Sequence, residues 1–166
     1  MLSDGEIRDM IQGLHHAAYR CRDSEETRAF YEDFLELRLA RALPIETTQT
    51  GRKAEVLHTF YEMGDGSFLA FFEEPGAPFD FKDQRDFDLH IALEVDPDTL
   101  GRMFEKGKAA GVETRGVSDH GFIDSIYFRD PNGYVIELSA KKGEAAGDHA
   151  AEAKAILAEW TARRRD

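Results

Sequence analysis

Two stretches of the chain alternate apolar and polar residues with a period of two, and each carries a histidine: "LHHAAYRC" from Leu14 and "LHIALEV" from Leu89. Both predict half-buried strands. Helical spacing follows each of them. After the first, Asp23 can cap a helix, Glu26 three residues on completes a box-like signal, and Phe30, Tyr31, Phe34 and Leu35 recur along one face. After the second, Asp96 is the cap, Pro97 takes the first helical position and Gly111 lies just past the end. Further strands close each unit. In the first they are "AEVLHTFYEMG" and "SFLAFFEEP", which meet across "GDG" as a hairpin. In the second they are "DSIYFRD" and "GYVIELSA", joined by the turn Asp130-Pro131-Asn132-Gly133.

The pattern is an internal repeat of strand, helix, strand, strand, interrupted by the linker "PGAPFDFKDQRDFD". It predicts one domain over residues 13–141, with a first module at about 13–75 and a second at about 86–141. Residues 1–12 read as an N-terminal helical extension, centred on Gly5 to Gln12. Residues 142–166 read as a C-terminal helix in which Ala153, Ile156, Leu157 and Trp160 form one apolar stripe. Both extensions read as packing additions.

Composition narrows the class. At 166 residues and 42% hydrophobic content the chain can bury one real core. Its formal net charge of −12 disfavours nucleic acid and anionic membrane, leaving a small molecule or a protein as partner. The opening "MLSDGEIRDMIQG" has neither the basic nor the apolar region of a signal peptide, and the lone Cys21 reads as a small core residue in a reducing compartment. A cytoplasmic location is the expectation.

Strand parity decides where the histidines point. Leu89, Ile91, Leu93 and Val95 share an all-apolar face that must meet the helices, so His90 faces the other way. In "GYVIELSA" the same logic sends Ile136 and Leu138 to the helices and Glu137 to the opposite face. In the first strand His16 shares a face with Leu14, Ala18 and Arg20, and equivalence of the repeats pairs His16 with His90. Two imidazoles and a carboxylate from three strands make a standard set for a divalent first-row metal, with open positions left for substrate and for oxygen or water. Taken singly, each of these residues also fits a hydrogen-bonded strand histidine or a solvated glutamate.

Over about Gly13 to Lys141 the chain resembles the vicinal oxygen chelate superfamily of glyoxalases, extradiol dioxygenases and bleomycin-resistance proteins. The resemblance is carried by His16 followed by Asp23 and Phe30-Tyr31, by "LHIALEV", and most specifically by "DPNGYVIEL". It implies an α+β fold of two tandem βαβββ modules forming a half-open mixed β-barrel with helices outside, around a metal held by His16, His90 and Glu137. His15 is then expected to pack under the helix.

In metal-dependent glyoxalases a fourth ligand stands where this chain has Ala70, which cannot ligate. The remaining set resembles the iron site of one-domain extradiol ring-cleaving dioxygenases. Their closing signature reads here as His120, Ile126-Tyr127, Asp130-Pro131, Gly133 and Glu137, with Ser118 a departure from it. A second departure is Gly66-Ser67, where larger extradiol enzymes carry an acid-base histidine.

The resemblance implies Fe(II) first, with Mn(II), Zn(II), Ni(II) or Co(II) as alternatives, a catechol-like aromatic substrate, a homodimer, and His120 with Tyr127 as the proton-handling pair. The competing readings are a glyoxalase, isomerase or epimerase that stabilises an enediolate, and a metal-free binding protein of the bleomycin-resistance type. His58 reads as a satisfied core residue and His149 as surface. Arg20 fits a salt bridge or an acidic substrate group, and Phe68, Phe71, Phe72 and Phe79 fit a pocket wall or plain core.

Overall fold

The computed structural model describes residues 11–143 and 149–164. Its first module runs β1 (His16–Arg20), α1 (Ser24–Arg28) leading into a π-helical segment (Ala29–Phe34), β2 (Arg38–Thr47), β3 (Lys53–Glu62) and β4 (Phe68–Glu73). The second runs β5 (Ile91–Glu94), α2 (Pro97–Ala109), β6 (Thr114–Asp119), β7 (Ile123–Arg129) and β8 (Val135–Lys141), and α3 (Ala150–Arg163) follows. The helix expected near Gly5 to Gln12 lies outside the described residues except for Ile11 and Gln12, which are exposed and belong to no helix.

Each module is βαβββ. The sheets have the orders β1-β4-β3-β2 and β5-β8-β7-β6, with the first and last strand of each module paired in parallel. The caps form as the sequence predicts. Asp23 accepts from the backbone N–H of Glu25 and Glu26, and Asp96 from that of Thr99. Glu26, however, pairs with Arg22 instead of closing a capping box, because the guanidinium one turn back reaches its carboxylate first.

Alternation holds across both sheets. Ala17, Tyr19, Leu69, Phe71 and Tyr61 of the first sheet and Ile91, Leu93, Ile136, Leu138, Ile126 and Phe128 of the second meet the helices in one continuous core. Phe34 from the first module stands edge-on to Phe128 of the second, with ring centroids 5.2 Å apart. The opposite faces of both sheets stay open, and the two sheets do not close on each other into a barrel.

The turn after β7 is the hinge of this arrangement. Buried Asp130 accepts from Tyr31 Oη (2.9 Å), the backbone N–H of Asn132 (2.9 Å) and Tyr134 (2.8 Å), and Asn132 Nδ2 (3.1 Å). Asn132 also donates to Thr27 Oγ1 and accepts from the Arg22 N–H, while Tyr134 Oη donates to the Arg20 carbonyl. What the sequence marks as a turn therefore bonds the second module to the first. Gly133 is needed there twice over. Its φ is +93°, and a Cβ would lie 2.7 Å from the backbone nitrogens of Lys82 and Asp83 in the linker.

The C-terminal helix does not pack as expected. No residue of α3 is buried, and Ile156, Leu157 and Trp160 remain 58–64% exposed. An apolar stripe at helical spacing shows that a helix can dock, not that a partner lies within reach. Ending the chain after Gly143 should accordingly leave the thermal midpoint within a degree or so, roughly the shift expected from a few tenths of a kcal/mol. Trp160 is the only tryptophan, so its fluorescence should show a water-exposed indole. A blue-shifted, quencher-shielded emission would show that α3 has found a partner. No helix among the described residues is long and apolar enough to cross a membrane.

Candidate metal centre

His90 and Glu137 meet on the open face of the second sheet. Glu137 sits in mid-strand on β8, paired with Ala92 of β5 and Tyr127 of β7, so its side chain leaves the sheet away from the helices, as parity requires. His90 stands one residue before β5 and reaches the same space, with Nε2 3.2 Å from Glu137 Oε2. Both ends of this pair are oriented from outside. Ser139 Oγ donates to Glu137 Oε1 at 2.7 Å and in turn contacts Ser125 Oγ at 3.1 Å. The Asp86 carbonyl lies 2.7 Å from His90 Nδ1 and, being an acceptor only, fixes the proton on that nitrogen.

A neutral imidazole protonated at Nδ1 presents a lone pair at Nε2, facing a carboxylate oxygen. Two lone pairs at 3.2 Å repel unless a cation lies between them or Nε2 also carries a proton. Among the described residues no Lys or Arg forms an ion pair with the buried Glu137, the condition under which a carboxylate is paired or ligates a metal. Imidazole held through its other nitrogen by a backbone carbonyl, and carboxylate held by a hydroxyl, are the usual outer-shell supports of metal ligands. The donor set fits a divalent cation.

A cleft of about 590 Å³ opens over this pair, with Asp86, Phe87, Arg115, His120, Phe122 and Tyr127 among its walls. His120 is exposed at the rim, but its Nε2 lies 3.1 Å from Tyr127 Oη, so it is part of the cleft wall. Burial, with the Glu137 carboxylate nearby, holds the Tyr127 phenol above its usual pKa and keeps the hydroxyl protonated. Among the described residues Arg115 is the one Lys or Arg in the wall, and Asp86 takes both ends of its guanidinium.

His16 is elsewhere. It lies on the open face of the first sheet, opposite Phe68 in register and edge-on to Phe60, and does not line the cleft. Among the described residues of one chain, no three His, Cys, Asp or Glu side chains gather closely enough to hold a metal. Ala70, fully buried, shares the His16 face through its pairing with Ala18 and Phe60.

His15 is exposed, with Nδ1 2.8 Å from His16 Nδ1, rather than packed under a helix; it precedes β1, where strand parity and helix cover have both ended. His58 is buried, hydrogen-bonded to the Phe71 carbonyl and stacked on Phe72. Arg20 is taken by Glu74 at 2.8 Å, and Ser67 bonds Asp65 within the β3–β4 turn. His149 is exposed beside Glu152, and Cys21 is buried. Of the four phenylalanines, Phe71 is core, and Phe68 and Phe72 lie on the His16 face.

Sequence reasoning missed Asp86, Arg115, Ser125 and Ser139. Parity could have found Ser139, two residues beyond Glu137 on the same strand face. Asp86 lies in an aperiodic linker, and Arg115 on a strand with no apolar alternation, so neither carried a signal.

The chain belongs to the glyoxalase/bleomycin resistance protein/dioxygenase superfamily, whose family model matches residues 13–138. Among curated proteins it is similar to the metallothiol transferase FosB of Shouchella clausii (strain KSM-K16), 27% identical over 135 residues that cover 78% of this chain and 80% of that protein. Among solved structures it resembles a glyoxalase/dioxygenase from Nostoc punctiforme, with TM-score 0.62, 24% identity and coverage of 86% and 97%. It also resembles the fosfomycin resistance protein FosX of Listeria monocytogenes, solved with Mn(II) and sulfate, with TM-score 0.60, 22% identity and coverage of 80% and 95%. These structural likenesses concern the fold.

Proposed function

We propose that the protein is a divalent-metal-dependent enzyme whose metal is held by His90 and Glu137 of one copy and His16 of a second. The reading rests on one observation: the two sheets that carry these ligands never close on each other within the chain. Exposed apolar side chains stand on both sides of such a contact, Leu43 on the open face of the first sheet and Phe122 in the β6–β7 turn at the wall of the cleft. Setting the first sheet of one copy against the second sheet of another brings His16 to the cleft, and two-fold symmetry makes two such sites.

For the reaction, the cleft favours an aromatic diol and extradiol-type ring cleavage. Phe87, Phe122 and Tyr127 give it flat apolar walls, and Arg115, the one Lys or Arg among the described residues that line it, is already neutralised by Asp86, which leaves little there to hold a phosphonate or other strong anion. A bound divalent ion, Fe(II) first, would supply Lewis acidity to two vicinal oxygens and the redox chemistry that engages O2. The rest falls to the chain. His120 takes the proton of a substrate hydroxyl at a ring nitrogen and returns it on ring opening, Tyr127 holds that imidazole in place, and the aromatic walls orient the ring.

A second reading, metal-assisted transfer of a thiol to a small electrophile, is favoured by the similarity to FosB. One set of assays separates the two. Anaerobically purified protein should bind one divalent metal per chain and consume O2 with catechols, and His120→Gln should slow that turnover by about 10²-fold with metal content unchanged. Thiol conjugation of fosfomycin without O2 uptake would favour the second reading, and a protein that binds no metal would exclude both.

A further inference from the structure

His90 has little to hold it by position alone. It precedes β5, its side chain is 41% exposed, and the linker before it forms neither strand nor helix. Its ring is aimed by the Asp86 carbonyl, and Asp86 is itself a linker residue. What fixes Asp86 is a fork from the sheet. Arg115 Nη1 and Nη2 reach Asp86 Oδ2 and Oδ1 at 2.9 and 2.8 Å, a bidentate pair that sets orientation as well as distance. Arg115 is in turn held by β6, in register with Tyr127 of β7, and its guanidinium lies 5.2 Å from the centre of the Tyr127 ring.

We propose that Arg115 is a positioning residue: by clamping Asp86 it fixes the tautomer and the aim of His90 toward Glu137, and by stacking on Tyr127 it ties that ligand to the His120–Tyr127 wall. The proposal rests on the reading of His90 and Glu137 as metal ligands. Both partners of the ion pair are partly exposed, so water and salt weaken its contribution to overall stability. Its effect lies in geometry. Hydrogen bonds from the Arg115 guanidinium also hold the Asp86 carboxyl below its usual pKa, so the clamp is charged throughout the neutral range. Glu113, 3.7 Å from Arg115 Nε, offers the guanidinium another partner when Asp86 is lost, and that swing would leave residue 86 without its tie to the sheet.

The test uses Arg115→Gln, Asp86→Asn and the exchanged pair Arg115→Asp with Asp86→Arg, in the full chain. Imidazole 15N–1H correlations of metal-free protein report directly whether His90 keeps its hydrogen-bonded Nδ1–H, and titration with Mn(II) reports the site. Each single variant should lose the slowly exchanging Nδ1–H signal of His90 and bind Mn(II) about 10- to 100-fold more weakly, the usual effect of removing an outer-shell support. The exchanged pair should recover most of both. A wild-type Nδ1–H signal and Mn(II) affinity in the single variants, or no recovery in the exchanged pair, would overturn the proposal. A raised KM with unaltered metal affinity would instead make Arg115 a substrate contact. Should the wild type bind no Mn(II), the ligand reading fails, and the Nδ1–H measurement still decides whether Arg115 positions His90.

Discussion

Replacing Asp130 by alanine should destabilise the protein by about 3–5 kcal/mol, a large share of an ordinary domain's stability. The carboxylate accepts from the Tyr31 hydroxyl, two backbone N–H groups and the Asn132 amide, and every one of these donors is buried around it. Alanine leaves them without a partner, and an unsatisfied buried donor costs about 1–3 kcal/mol. Tyr31→Phe removes a single donor and should cost about 1 kcal/mol. Urea titrations of the two variants test the account. A loss below about 1 kcal/mol in Asp130→Ala would mean that the modules are held together by their shared apolar core alone.

Acidity gives the same network a second signature. Burial raises the Asp130 carboxyl pKa against the pull of its hydrogen bonds, so the folded state binds this proton more tightly than the unfolded chain does. Stability from this group is then fully present below the unfolded carboxylate pKa and declines as pH rises through the folded one. Asp130→Asn should abolish that decline. It should still cost stability at neutral pH, because its amide turns a donor toward donors.

The strands that set one face against the helices were legible in the sequence, and those that do not were obscure. β1, β4, β5 and β8 turn one apolar face to the core, well buried in β4 and β8 and partly buried in β1 and β5, so a period of two is imprinted on them, and parity places Glu137 on the face where it stands. β2 and β6 did not separate by pattern, and both are edge strands with few buried residues. β2 even contains Pro44, which only an edge tolerates. Caps were readable because Asp23 and Asp96 act within three residues of themselves. The Asp130 network was not, since Tyr31 and Asp130 are 99 residues apart, and Asp-Pro-Asn-Gly spells a turn wherever it occurs. The proposed ligand set shows the same limit: alternation gives the face a side chain leaves from, but whether two faces meet within one chain or between two is a property of the assembled sheets.

Mixing two inactive variants should therefore restore activity. On the proposed ligand set, His16→Ala and Glu137→Ala should each lose metal and turnover, the first by removing the imidazole on the first sheet, the second by removing the carboxylate on the other. If a site takes His16 from one copy and His90 with Glu137 from the next, a hybrid dimer of the two variants contains one site with both lesions and one with neither. Random reassociation of equal amounts makes half the dimers hybrids, so about a quarter of wild-type metal binding and activity should return. The return must require subunit exchange, by co-expression or by joint unfolding and refolding, and should plateau with time. Two lesions in one chain, mixed with nothing, provide the zero. Failure of the mixture to recover any metal, with both variants folded and dimeric, would place all three ligands in one chain and demand that the two sheets close on each other within it. Restoration near a quarter would instead make the open faces of β1-β4-β3-β2 and β5-β8-β7-β6 two halves of one site, each useless until a second copy supplies the other.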